Sequence, residues 1–115
     1  MEENVNLMDL YHKIENGISK SLLQGYQLVK GTWGDMSCNQ ICPLSALNPK
    51  CINSSQYAAK YLNVSVNWVE SFIEGYDGYQ FNLDLIKEAY DCGAYFRKKY
   101  NPPNYYNIPC EDEDF

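Results

Sequence analysis

The sequence is short of several features that mark secreted, membrane and metal-binding proteins. It has a single histidine, nine lysine and arginine residues against 15 aspartate and glutamate residues, and no long hydrophobic run. The first residues, Met1–Asn4, are acidic and polar, and no apolar segment of about 7–15 residues follows them. We therefore expect neither a secretory signal nor a membrane-spanning segment, and a cytoplasmic location.

The shortage of basic residues bears on the class of partner. The net charge is −6 and the isoelectric point is near 4.6. Nucleic-acid affinity comes largely from lysine and arginine side chains that neutralise phosphates, so the charge disfavours a nucleic-acid partner. It leaves room for the opposite role, an acidic surface that competes for a basic partner.

The cysteines and the histidine do not form a recognisable metal or catalytic pattern. The five cysteines are an odd number, which fits reduced thiols better than a disulfide framework. Cys38 and Cys42 have a spacing that loosely fits zinc ligands, but no second close pair exists. His12 is the sole histidine base for a cysteine nucleophile, and nothing in the sequence orients it. We expect no catalytic residue, no metal and no cofactor.

The periodicity of apolar residues predicts helices. A first helix is predicted over Asn6–Lys30, with Asn6 as its N-cap, Gly31 just after its end and a bend or break near Gly25. Its predicted apolar face consists of Leu7, Tyr11, Ile14, Ile18, Leu22, Tyr26 and Val29.

Three further helices and one short apolar turn follow. The helices are predicted over 56–62, 66–75 and 83–100, and the apolar turn over 42–47, with a turn at 33–35 before it. Residues 76–83 alternate enough for one short strand at most. The predicted fold class is all-α, an irregular bundle of four to five helices. Residues 1–104 would form a single helical domain, and residues 105–115 an acidic, flexible tail.

The predicted helices over 56–62 and 66–75 form a pair. Between Ala59 and Ile73 this pair resembles the helix-turn-helix of DNA-binding regulators. The small Ala59 allows a close helix crossing, Asn63 tolerates a left-handed turn, and Ser65 caps the second helix. The resemblance implies DNA binding, for which Lys60, Arg97, Lys98 and Lys99 would supply the basic patch.

The side chains predicted on the outside of the second helix of this pair fit DNA poorly. These residues are Asn67, Glu70, Ser71 and Glu74. Only Asn67 is a natural reader of base edges, and the two glutamates would repel phosphates. We therefore predict that these four residues face a protein partner.

The sequence also resembles a family of small uncharacterised proteins of bacteria and their phages. The resemblance covers about Trp33 to Arg97 and rests on the segment Cys42–Leu47 and on the Trp-Val-x-x-Phe-Ile-x-Gly-Tyr-Asp-Gly corner that begins at Trp68. It implies a helical fold and a phage or mobile-element origin, with the host cytoplasm as the location, but no established activity.

Together these features lead to a leading hypothesis and two alternatives. The leading hypothesis is a non-enzymatic protein-interaction domain that binds and inhibits a host protein, such as a defence nuclease. The 11 tyrosines of the chain agree with this hypothesis, because tyrosine suits a half-buried rim or a binding surface. The alternatives are a helix-turn-helix regulator, and a cysteine or metal enzyme with bound zinc or a reactive thiol. The sequence indicates no oligomeric state.

Overall fold

The order of elements places one long helix first and a pair of packed helices last. A computed structural model describes residues 6–31, 39–47 and 55–104. Its elements are α1 (Leu7–Leu23), β1 (Gln27–Leu28), β2 (Gln40–Ile41), a 3₁₀ helix (Ser45–Leu47), α2 (Ser55–Leu62), α3 (Val66–Asp77) and α4 (Lys87–Tyr100). The all-α prediction is confirmed, with a two-residue parallel strand pair added to the helices.

Helix α1 begins where the sequence predicts, because Asn6 caps it. The Asn6 side-chain oxygen accepts hydrogen bonds from the amides of Met8 at 3.1 Å and Asp9 at 3.4 Å. The predicted apolar face is only partly right, since Leu7 and Leu22 are 37% and 39% exposed. The stripe that α1 buries consists of Leu10, Ile14, Ile18 and Ser21.

The predicted continuation of α1 to Lys30 is wrong. The helix ends at Leu23, and Gly25 takes a left-handed conformation with φ of +99°, which turns the chain away from the helix axis. The chain then forms β1, which pairs in parallel with β2. The short strand allowed for residues 76–83 does not form, because α3 runs on to Asp77 and α4 follows at Lys87.

The end of β1 is fastened to the second half of the chain. The Tyr76 hydroxyl donates to the Val29 carbonyl at 2.8 Å, and the Gly31 amide donates to the Asp77 carboxylate at 2.9 Å. The Lys30 amide donates to the Pro103 carbonyl at 3.1 Å. These three bonds hold the end of β1 against α3 and against the segment that follows α4.

Helices α3 and α4 touch through their backbones. A Cβ atom added at Gly75 would overlap the Tyr90 carbonyl oxygen, and one added at Gly93 would overlap the Phe72 carbonyl oxygen. The absence of side chains at these two positions is therefore what allows the helices to pack this closely.

Aromatic rings fill the core beside this contact. Phe72 and Phe96 are fully buried, with ring centroids 6.1 Å apart. Tyr11 of α1 lies 5.7 Å from the Phe96 ring, and Tyr100 lies 6.3 Å from it. Phe96 thus joins α1, α3 and α4, and an ion pair between Lys99 and Glu15 adds a link between α4 and α1 at the surface.

Several predicted features fall outside the described residues. These are the turn at 33–35, the cysteines at 38, 51 and 110, and the acidic tail at 105–115. Within the described ranges, every helix falls short of the length and apolarity needed to cross a bilayer.

The glycine contact gives a direct stability prediction. Gly93→Ala should lower the free energy of unfolding by about 1–3 kcal/mol or more, because the added methyl group forces two backbones apart. Urea unfolding followed by circular dichroism measures the change. The exposed substitution Lys98→Ala on the same helix should stay within about 0.5 kcal/mol of the unsubstituted protein. Equal effects of the two substitutions would contradict the tight contact.

Candidate functional site

The turn between α2 and α3 has the local geometry of the helix-turn-helix pair predicted from the sequence. Asn63 takes a left-handed conformation with φ of +62°, and the Val64 amide donates to the Ala59 carbonyl at 2.9 Å. The Ser65 hydroxyl caps α3 by accepting a hydrogen bond from the Trp68 amide at 3.1 Å. Ala59 is buried at 5% exposure, as the close crossing requires.

The inner face of α3 is completely buried. Trp68, Val69, Phe72 and Tyr76 are between 0% and 6% exposed. The rings of Trp68 and Phe72 stack at 5.9 Å, and those of Phe72 and Tyr76 at 6.3 Å. The core therefore fixes the rotation of α3 and, with it, the residues that α3 presents outward.

Three of the four residues predicted to face a partner lie at least partly in solvent. Asn67 and Glu70 are exposed, and Glu74 is half-buried. They are spaced three and four residues apart, so they form one stripe along α3. We call Asn67, Glu70 and Glu74 the α3 stripe.

The prediction that Ser71 faces outward is wrong. Its side chain is fully buried, and its hydroxyl accepts a hydrogen bond from the Ile86 amide at 2.8 Å and donates to the Asn67 carbonyl at 2.8 Å. Ile86 is the N-cap residue of α4 and makes no side-chain cap of its own. Ser71 is therefore a structural residue, and it helps to explain why α4 begins at Lys87 and not at the predicted Leu83.

The α3 stripe carries uncompensated charge. Glu70 and Glu74 are four residues apart on one helix, where like charges repel. Neither carboxylate forms an ion pair within the described part of the chain. A basic partner surface would relieve this repulsion.

The two described cysteines have the surroundings of core residues. Cys42 and Cys92 are buried and free, and burial raises the pKa of each thiol to about 12. A thiol with so high a pKa is almost entirely protonated near neutral pH and is a poor nucleophile. Among the described residues, no group of three or more His, Cys, Asp or Glu side chains is placed to hold a metal ion.

The residues predicted to form a basic patch have different surroundings. Arg97, Lys98 and Lys30 line an open cavity with a volume of ≈ 580 Å³. Lys60 does not line this cavity. Lys99 is paired with Glu15.

Sequence reasoning missed the role of Asp77. Its carboxylate is half-buried and accepts the Gly31 amide hydrogen bond. Burial raises the pKa of this carboxyl above its ordinary value of 3.8, while the Gly31 hydrogen bond and the Lys30 charge oppose the shift. The bond spans 46 positions along the chain, so no local pattern signals it.

Comparison with known proteins adds no relative. No protein-family model matches the chain, and no curated protein or solved structure matches it significantly. The resemblance to small bacterial and phage proteins therefore stays a prediction from the sequence.

The buried serine gives the second prediction. Ser71→Ala should lower the free energy of unfolding by about 1–3 kcal/mol, because the part-buried Ile86 amide loses its acceptor. Urea unfolding gives the total effect, and amide hydrogen exchange should show faster exchange at Ile86. Ser19→Ala, an exposed serine on α1, serves as the control. Unchanged exchange at Ile86 would argue against the capping role.

The half-buried carboxylate gives a prediction about pH. Because its pKa is raised in the folded state, the contribution of Asp77 to stability is largest below about pH 3.8 and is lost as pH rises through the folded-state pKa. Asp77→Asn keeps an oxygen acceptor for Gly31 but does not ionise. The variant should therefore match the unsubstituted protein at low pH and become the more stable of the two as pH rises.

Unfolding free energies measured from pH 3 to pH 8 test this sign. Asp77→Ala, which lacks the acceptor, should be less stable than Asp77→Asn at every pH. A gain in stability of the unsubstituted protein over Asp77→Asn with rising pH would show that the hydrogen bond and the Lys30 charge outweigh burial.

Proposed function

We propose that the chain is a non-enzymatic interaction domain that binds a basic surface of another protein through the α3 stripe. The observation that carries the proposal is the pair of unpaired carboxylates, Glu70 and Glu74, on a helix whose opposite face is locked into the core. A rigid support lowers the entropy lost on binding, because the side chains start from a fixed helix.

Exposed apolar side chains at the two ends of α3 add contact area. Val66 is 37% exposed at the start of α3, and Tyr79 is 56% exposed just after its end. Charged groups flanked by an aromatic and an aliphatic side chain suit a protein interface, where tyrosine is a frequent anchor.

The partner class follows from the acidic stripe and from the sequence resemblance to small phage and bacterial proteins. A basic surface of a host protein, such as the nucleic-acid-binding surface of a defence nuclease, has the complementary charge. Binding there would inhibit the host protein by occupying the surface that its substrate needs. The location implied by this role is the host cytoplasm.

A helix-turn-helix regulator is the second candidate, and the left-handed turn at Asn63 favours it. The charge of the presented helix opposes it, because Glu70 and Glu74 would face phosphates across a short distance. This candidate would need Lys60 and the Arg97–Lys98 surface to contact the DNA backbone.

Charge reversal of the stripe tests the proposal. The tagged protein is incubated with bacterial lysate at moderate salt, with and without nuclease treatment, and the bound material is identified by mass spectrometry and nucleic-acid staining. We expect one near-stoichiometric protein that resists nuclease, is lost with Glu70→Lys/Glu74→Lys, and is retained with the control Glu88→Lys on the exposed side of α4.

Two results would count against the proposal. Capture of the same protein by the double variant would remove the α3 stripe from the interface. Recovery of nucleic acid alone, released by raising salt and strengthened by Glu70→Lys/Glu74→Lys, would favour the helix-turn-helix candidate.

A further inference from the structure

An open cleft between α1 and the 3₁₀ helix lies outside the α3 stripe. Its volume is ≈ 560 Å³, within the range of about 300–1,000 Å³ that is typical of small-molecule sites. Gly17 shapes one wall, since a Cβ atom there would lie 2.6 Å from a methyl group of Leu47 and 3.3 Å from the Ala46 carbonyl oxygen. Tyr61 of α2 lies on the cleft as well.

The cleft is positively charged although the chain is acidic. Lys13 and Lys20 both line it, and they share one face of α1 with Gly17 because the three positions are four and three residues apart. Neither lysine forms an ion pair in the parts of the chain that the structure describes. No aspartate or glutamate is among the described residues that line the cleft.

Neutral hydrogen-bonding groups and an aromatic ring complete the lining. Asn16 lies four residues before Lys20 on the same face of α1, and Gln24, the residue that follows α1, lies four residues after Lys20. The Lys13 ammonium lies 5.3 Å from the centroid of the Tyr61 ring, and Tyr61 as a residue is 46% exposed. The exposed part of Tyr61 offers a planar group a surface for stacking once the Lys13 ammonium leaves the ring to contact an anion.

We propose that this cleft binds a small organic anion of the nucleotide class, with phosphates held by Lys13 and Lys20 and a planar base on Tyr61. The two lysines are about two helical turns apart, roughly 10 Å along α1, a distance that suits several linked phosphates better than one. Asn16 and Gln24 supply amide donors to phosphate oxygens. This site is separate from the α3 stripe and adds a ligand to the proposed interaction domain.

Calorimetric titration of the full chain with adenosine triphosphate, inorganic triphosphate and adenosine tests the site. We expect adenosine triphosphate to bind more tightly than either of the other two. Lys13→Gln/Lys20→Gln should weaken its binding ~10-fold or more, because two charge-assisted contacts are lost. Tyr61→Leu should weaken binding of adenosine triphosphate and leave that of inorganic triphosphate unchanged.

The controls separate the cleft from general charge effects and from misfolding. Lys60→Gln/Lys98→Gln removes two exposed lysines that do not line the cleft and should leave the affinity unchanged. Thermal unfolding of each variant should match that of the unsubstituted protein. No binding of adenosine triphosphate at millimolar concentration would overturn the proposal, as would equal losses in the two double variants. Equal affinity for inorganic triphosphate would overturn the role of Tyr61.

Discussion

The distance between α3 and α4 is set by backbone atoms, since no side chain separates the two helices at Gly75 and Gly93. That contact fixes where the side chains on either side of it must lie. Phe72 and Phe96 are brought together in the core, and the Ser71 hydroxyl reaches the first turn of α4. The outward direction of Glu70 and Glu74 is thus a consequence of the inward packing of the same helix.

The N-terminal half of the chain depends on this helix pair through α3. Tyr76 and Asp77 follow directly after Gly75, and each holds one residue of the segment just after β1. Burying the Tyr76 hydroxyl and part of the Asp77 carboxylate carries a desolvation penalty, which the bonds to Val29 and Gly31 offset only in part. The two-residue strand pair is too short to be stable by itself, so these contacts and the core against which it packs account for its presence.

Features with a local signal could be predicted from the sequence, and features that depend on distant partners could not. Asn6, Asn63 and Ser65 act on backbone groups within a few positions, and the structure confirms each one. A bend or a break was predicted near Gly25, and the structure has the break, since α1 ends at Leu23 and Gly25 takes φ of +99°. The positions of the α3 stripe followed from helical spacing. The burial of Ser71 did not, because its partner Ile86 is 15 residues away.

The location of the charge matters more for binding than its sum. The described residues carry eight acidic and eight basic side chains, so the net charge of −6 comes from the remaining residues. An overall acidic composition therefore does not exclude anion binding at a local site.

Over a Debye length of about 8–10 Å, a ligand responds to the nearest charged groups. Unpaired lysines dominate the cleft beside α1, and unpaired carboxylates dominate the α3 stripe. The two surfaces therefore differ in the sign of their charge, so the proposed anion site and the proposed site for a basic partner would not compete for one ligand.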